Sequence, residues 1–167
     1  MRTRILLAAV ALIGAGVVIG WIAAPGNTAT AAGTLTSPDY AEIEQLYWRY
    51  NHGADFRNDE VFLSAFAADA VFDLGTQKFV GREEIAAFRI ERDGHDNPDD
   101  IGWRHWNNGW RIVPTAEGAE ARVYWLLVDV AGGAPNAMMS GYYDDTYTRT
   151  PEGWRIKSRA IKFDDGG

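Results

Sequence analysis

The sequence contains no cysteine among its 167 residues. Disulfides, a thiolate nucleophile, thiolate-held metals and iron–sulfur clusters are therefore excluded. The redox compartment stays open, because a chain without thiols works anywhere. An excess of positive charge is also missing: Lys and Arg total 16 against 23 Asp and Glu, for a net charge of −7. Phosphate affinity comes from clustered Lys and Arg, so no nucleic-acid partner is expected. Histidine is scarce, with three in the chain. They are scattered, with no His-x-His or Glu-x-x-His spacing, and no metal site is expected. No Gly-x-Gly-x-x-Gly turn or phosphate loop follows a strand, and no serine elbow motif is present. The sequence thus calls for no cofactor and no serine triad.

What is present begins with Arg2 and Arg4, followed by an uncharged run from Ile5 to Ala24, Pro25-Gly26 and a tail of small residues to Gly33. A basic start, an apolar run and a small-residue exit predict a secretory signal peptide over residues 1–33, with Ala29-Thr30-Ala31 as a small-x-small cleavage site. The run exceeds the usual signal core and approaches the roughly 20 residues that span a bilayer. A membrane tether through residues 5–24 is therefore the alternative. Either way residues 34–167 are expected to work as one exported domain, periplasmic or secreted.

Within that domain helices come first and strands after. Ser37-Pro38-Asp39 predicts a helix start with Ser37 as cap. Ile43, Leu46, Tyr47, Tyr50 and Ala54 then recur at helical spacing. Asn58-Asp59 predicts a second short helix over 60–67, and Ala70 to Leu74 a strand. Phe79-Val80 reads as another strand, and Gly81 opens a third helix with acid in its first turn. A polar loop from Asp93 to Gly102 separates this half from four long alternating segments, 103–113, 119–130, 137–150 and 153–163. Glu117-Gly118, Gly132-Gly133-Ala134-Pro135 and Pro151-Glu152-Gly153 are turn chemistry between them. Short turns imply an antiparallel meander. Helices grouped before such a sheet imply an α+β fold, helices packed on one face of a curved sheet with a pocket between.

Three stretches of the helical half carry a familiar pattern. They are Ile43-x-x-Leu46-x-x-x-Tyr50-x-x-x-x-Asp55, Phe66-Ala67-Ala68-Asp69-Ala70-Val71-Phe72, and Phe79-Val80-Gly81-Arg82-Glu83-Glu84-Ile85. The sheet half adds Arg104-His105-Trp106-x-Asn108, Gly141-Tyr142-Tyr143-Asp144-Asp145 and Arg149-Thr150-x-x-Gly153-Trp154-Arg155-Ile156. Together they resemble the SnoaL-like family of the nuclear transport factor two-like superfamily, over about residues 38–163. The resemblance implies a cone-shaped α+β barrel. Its members include dehydratases, ketosteroid isomerases, polyketide cyclases, dioxygenase small subunits and pure binding proteins, so function has to come from the site.

His105 is the candidate general acid or base. His95 falls in the polar loop, and His52 points nearly opposite the apolar helix face, toward solvent. Histidine is the side chain whose ordinary pKa lies near neutrality. A buried, hydrogen-bonded structural histidine is the competing reading. Asp55, on the edge of the apolar face at the end of the first helix, is the natural partner, or else a helix-end carboxylate in water. Tyr50 fits core packing as well as catalysis. The resemblance to dehydratases implies Tyr50 as phenolic donor, Asp55 as orienter, and His105 as base and then acid. Scytalone dehydratase-like enzymes use a second histidine on the next strand, where this chain reads Leu127-Val128-Asp129-Val130. Asp129 is the polar substitute there, and the pattern is closer to the bile acid dehydratase type, with a tyrosine, an aspartate and one histidine.

Further candidates for substrate contact are Trp106, Asn107, Trp125, Asp129, Tyr143 and Asp145. Asn107 shares a strand face with His105, and Asn108 lies opposite unless Gly109 marks a bulge. Tyr143 and Asp145 share a face, and pairing with Arg149, Arg155 or Arg159 competes with a place at a cavity mouth. The aromatic strands suit an apolar pocket for a ring-shaped molecule as well as core packing. The sequence thus supports a cofactor-independent lyase or isomerase acting on a cyclic apolar hydroxy or keto compound. The alternative is a non-catalytic module that binds a small hydrophobe or a partner. The outer sheet face is then the surface available for a homodimer.

Overall fold

A computed structural model describes residues 33–93 and 102–164. The expected leader or anchor lies outside the described residues except for Gly33, as does His95.

Helix α1 (Ser37–Asp55) opens where the Asp39 carboxylate accepts both the backbone N–H and the hydroxyl of Thr36, each at 2.8 Å. Thr36, not Ser37, is therefore the cap. An acid three residues on reaches back to it and satisfies donors that the helix cannot. Asp39 also accepts from Trp154 Nε1 at 3.0 Å and pairs with Arg149, which pins the helix start to the last hairpin. The buried stripe runs through Ile43, Leu46, Tyr47 and Tyr50 and ends in two polar residues, Asn51 and Asp55.

Helix α2 (Asp59–Leu63) is capped by Asn58, whose side chain accepts the Val61 N–H at 3.0 Å. It is shorter than the sequence predicts, because strand β1 (Phe66–Asp73) claims the following residues. Gly53 lets α1 and α2 touch: a Cβ there would lie 2.4 Å from the Phe62 nitrogen. Strand β2 (Lys78–Val80) leads into helix α3 (Gly81–Asp93). Arg89 of α3 is buried, reaches Gly53 O at 3.4 Å and Asp59 at 3.3 Å, and lies 4.6 Å over the Phe62 ring. The last turn of α1 is thereby fixed by both later helices.

Strands β3 (Trp103–Pro114), β4 (Ala119–Asp129), β5 (Asn136–Thr150) and β6 (Gly153–Phe163) form the predicted antiparallel meander. β1 joins β6 in parallel, giving the order β2-β1-β6-β5-β4-β3. The architecture is α+β, with helices on one face of a curved six-stranded sheet. Among the described residues β2 and β3 remain free edges, so the barrel is not closed. Gly109 marks a bulge: its φ is 67° and the β3–β4 register shifts between Asn108 and Arg111. The extra residue changes which positions face inward. Trp103, His105 and Asn107 point to the helices before it, and Trp110, which meets Tyr47 edge-on, does so after it.

The rings of Tyr50, Phe62, Phe66 and Phe72 cluster with centroids 4.8 to 6.4 Å apart, and Phe79 stacks on Phe88 at 4.5 Å. Burying one such side chain is worth about 1.5–3 kcal/mol. This aromatic layer joins the helices to the sheet, and Tyr50 and Phe88 carry it to the cavity described below.

Candidate active site

Asp55 is the last residue of α1 and His105 the third of β3, and their side chains meet. Asp55 Oδ1 lies 2.5 Å from His105 Nδ1, with side-chain exposures of 4% and 17%. The same carboxylate accepts the His105 backbone N–H, at 3.1 and 3.3 Å. A carboxylate facing Nδ1 fixes the neutral ring as the Nδ1–H tautomer, leaving Nε2 as the basic nitrogen. The backbone bonds place the carboxylate before the imidazole is considered, so the contact does not depend on a lone rotamer.

His105 borders a cavity of about 420 Å³ between the sheet and the helices. Tyr50 and Tyr143 add phenolic hydroxyls to its wall, and Thr76 an aliphatic one. Apolar side chains make up the rest: Leu74 from the turn after β1, Phe88 from α3, Trp103, Trp125 and Leu127 from β3 and β4, and Met139, Ile161 and Phe163 from β5 and β6. Gly141, paired with Trp125 across the β4–β5 ladder, lets the indole lie flat: a Cβ there would sit 2.7 Å from the ring. Among the described residues, no Lys, Arg, Asp or Glu lines this cavity. The Tyr50 and His105 rings meet edge to face at 6.0 Å, and Tyr50 meets Tyr143 at 5.7 Å, so the three polar walls are neighbours.

Beneath these tyrosines lies a second polar cluster. Arg159 and Asp145 are both fully buried and pair through two bonds, Nε to Oδ1 at 3.0 Å and Nη2 to Oδ2 at 2.6 Å. Tyr47 and Tyr147 donate to Asp145 Oδ2 at 2.7 and 2.9 Å. The Arg159 guanidinium also packs over the rings of Tyr143, Tyr50 and Tyr47 at 4.1, 4.2 and 4.8 Å. Burial works against its charge, but Asp145 outweighs that and holds the guanidinium well above its usual range. Burial pushes the Tyr143 hydroxyl well above the ordinary phenol range, and Tyr50 and Asp145 push the same way against Arg159. Tyr143 is therefore a neutral hydrogen-bond donor throughout the physiological range.

Of the residues singled out in the sequence, Tyr50, His105, Trp125 and Tyr143 line the cavity, and Asp55 backs the His105 ring. Four do not. Trp106 is 54% exposed on the outer sheet face, because it alternates with His105 along β3. Asn107 faces inward but is taken up by α1, accepting from Asn51 Nδ2 at 2.6 Å. Asp129 closes the turn after β4, where it accepts the Ala131 N–H at 2.9 Å. Asp145 is consumed by Arg159, one of the pairings the sequence allowed. Asn51 was not anticipated; its signal was a polar residue on an apolar stripe, one helical turn before Asp55. Met139, Ile161 and Phe163 had no such signal, being ordinary strand apolar residues. Among the described residues, no group of three His, Asp or Glu gathers as metal ligands. A larger hollow of about 640 Å³ on the outer sheet face is lined mainly by charged and hydroxyl side chains, among them Arg111, Glu120, Arg122 and Asp144, and no histidine borders it.

A family model described as a SnoaL-like domain matches residues 35–160. No curated protein matches the chain. Among solved structures, Aln2 from a Streptomyces species is 27% identical, with a TM-score of 0.68 over 80% of this chain and 96% of that one. An NTF2-like protein with a cystatin-like fold from Novosphingobium aromaticivorans is 25% identical, with a TM-score of 0.68 over 78% and 84% of the two chains. A protein from Catenulispora acidiphila, solved in complex with S-DNPA, is 23% identical, with a TM-score of 0.66 over 78% and 96%.

Proposed function

The chain belongs to the SnoaL-like family, and from that premise we propose that it is a cofactor-independent dehydratase or isomerase for an uncharged cyclic hydroxy ketone. The observation that carries the reading is the Asp55–His105 contact at the wall of a largely apolar cavity.

In the proposed reaction His105 Nε2 takes the proton beside the substrate carbonyl, and the C–H electrons move to the carbonyl oxygen. Asp55 stabilises the imidazolium that forms. Tyr50 and Tyr143 are the hydroxyl donors beside the developing enolate oxygen, set between apolar walls. The enolate then collapses to a C=C bond, the C–O bond to the β-hydroxyl breaks, and the imidazolium gives its proton to the departing oxygen as water. Without a leaving hydroxyl, return of the proton at another carbon is isomerisation. The absence of charge along the described cavity wall favours a neutral ring system over a carboxylate, because a buried unpaired anion is costly. Export of the domain belongs to this proposal and rests on the sequence of residues 1–33.

The test is turnover of a fused-ring β-hydroxy ketone such as hydroxytetralone, whose loss of water to naphthol is read by fluorescence. His105→Ala is expected to lower kcat between about 10²- and 10⁴-fold with a preserved melting transition. A wild-type protein that binds this probe without turning it over would support the binding module instead.

A further inference from the structure

We infer that Asn51 is a positioning residue for His105: with Asp55 it closes the free edge of β3 and thereby fixes the imidazole. This rests on the reading of His105 as the base. β3 is an edge strand, so among the described residues it has no neighbouring strand on its outer side. An edge strand leaves backbone N–H and C=O groups unpaired. At His105 both groups are met by α1. Asp55 accepts the N–H at 3.1 Å, and Asn51 Nδ2 donates to the C=O at 3.2 Å. Asn51 and Asp55 are four residues apart, so one helix face presents a donor and an acceptor one turn apart. That is the pairing a further strand would supply, delivered by a helix.

Asn51 is 5% exposed and is itself oriented by Asn107, whose Oδ1 accepts from the same Nδ2 at 2.6 Å. Asn107 stands two residues after His105 on the same strand face. Asn51 thus spans two inward positions of β3 and sets both the height and the tilt of the strand against α1. The Asp55–His105 contact spans 50 residues of sequence. Only a rigid seam between α1 and β3 keeps it within hydrogen-bond range, and Asn51 is the other half of that seam. A carboxylate alone can follow a moving imidazole, whereas a donor and an acceptor on one residue's backbone hold the strand in register.

The clamp is tested without a substrate, on the full-length protein, by imidazole ¹⁵N spectra and amide hydrogen exchange. In the wild type the neutral His105 ring is expected as the Nδ1–H tautomer, with a protected amide. Asn51→Ala and the nearly isosteric Asn51→Asp remove the amide donor. Both are expected to mix the two tautomers and to speed His105 exchange about fivefold or more, the factor for losing one hydrogen bond. Exchange at Val123, in central β4, is expected to stay unchanged. A single tautomer and wild-type exchange in these variants overturns the proposal. If neither folds, Asn107→Ala decides. It loosens the Asn51 side chain without touching His105, and about twofold faster His105 exchange is expected. No change there overturns the clamp as well. Turnover is a separate readout. Loss of the dyad's catalytic role with the tautomer effect intact sinks only the proposed function, and full turnover dependence on His105 with no tautomer effect sinks only the clamp.

Discussion

Asp145 and Asp55 each meet one basic side chain of the sheet, and the two contacts differ in what they leave over. Arg159–Asp145 is sealed: both side chains are fully buried, and the Asp145 carboxylate receives the guanidinium and two tyrosine hydroxyls. His105–Asp55 is one-sided. Asp55 is buried, while the His105 ring keeps 17% exposure and borders the cavity. A charge pair whose acceptor is fully occupied stiffens the core and holds three tyrosine rings in place. A pair that spends one ring nitrogen and leaves the other at an apolar void has basicity to offer a ligand. The difference lies in access and valence rather than in distance, since the shortest contacts of the two pairs are 2.5 and 2.6 Å.

Breaking the sealed pair is expected to have the largest effect. Asp145→Asn leaves Arg159 buried without a counter-charge and is expected to cost about 3–5 kcal/mol of folding stability, read by urea unfolding. Replacing both partners, Asp145→Leu with Arg159→Met, is expected to recover part of that loss. Equal stability of single and double variants would show that the tyrosines, not the ion pair, set the cost. The open pair is expected to respond in the opposite channel. Asp55→Asn lowers kcat by about 10²-fold or more, with a smaller loss of stability than Asp145→Asn. If Asp55→Asn proves the more destabilising of the two, the contrast between a structural and a chemical pair fails.

A milder effect separates the regions by pH. Tyr47, Tyr143 and Tyr147 are all held well above the ordinary phenol range, chiefly by burial. A group with a raised folded pKa stabilises fully below its unfolded value, about 10 for tyrosine, and that stability is lost as pH rises toward the folded value. Unfolding free energy is therefore expected to show no tyrosine-linked change from neutrality to about pH 10 and to fall above it, with Tyr147→Phe reducing the slope. The smallest effect belongs to the outer face. Trp106→Ala is expected to leave turnover unchanged and stability within about 0.5 kcal/mol. A loss of turnover there would place substrate on the wrong side of the sheet.

Much of this was legible in the chain. Helical spacing of Ile43, Leu46, Tyr47 and Tyr50 placed the α1 stripe, and turn chemistry at Glu117-Gly118 and Pro151-Glu152-Gly153 placed the hairpins between long strands. His52 is exposed, as its angle on the helix required, and sits edge-on between Trp48 and Phe56. Other features depended on competition that a local window does not contain. Ser37 and Thr36 are both acceptable caps until Asp39 reaches back to one of them. Residues 64–67 suit a helix until β6 offers β1 a ladder, with Ile156 N–H bonding Ala65 O at 2.9 Å. The inward set of β3 alternates cleanly until Gly109 shifts it, so Trp106 and Trp110 face opposite ways despite being four residues apart.

Periodicity, turn residues and residue type determined by themselves that this chain forms helices followed by an antiparallel meander, and that His105 was its candidate base. Those are properties of neighbours along the backbone, where spacing fixes direction. Tertiary structure alone decided that Asp55 serves the histidine while Asp145 serves an arginine, and that Asn51 closes the edge of β3. Two carboxylates of identical chemistry differ only in which side chains the folded sheet carries past them, and that is set by strand order and register across distant parts of the chain.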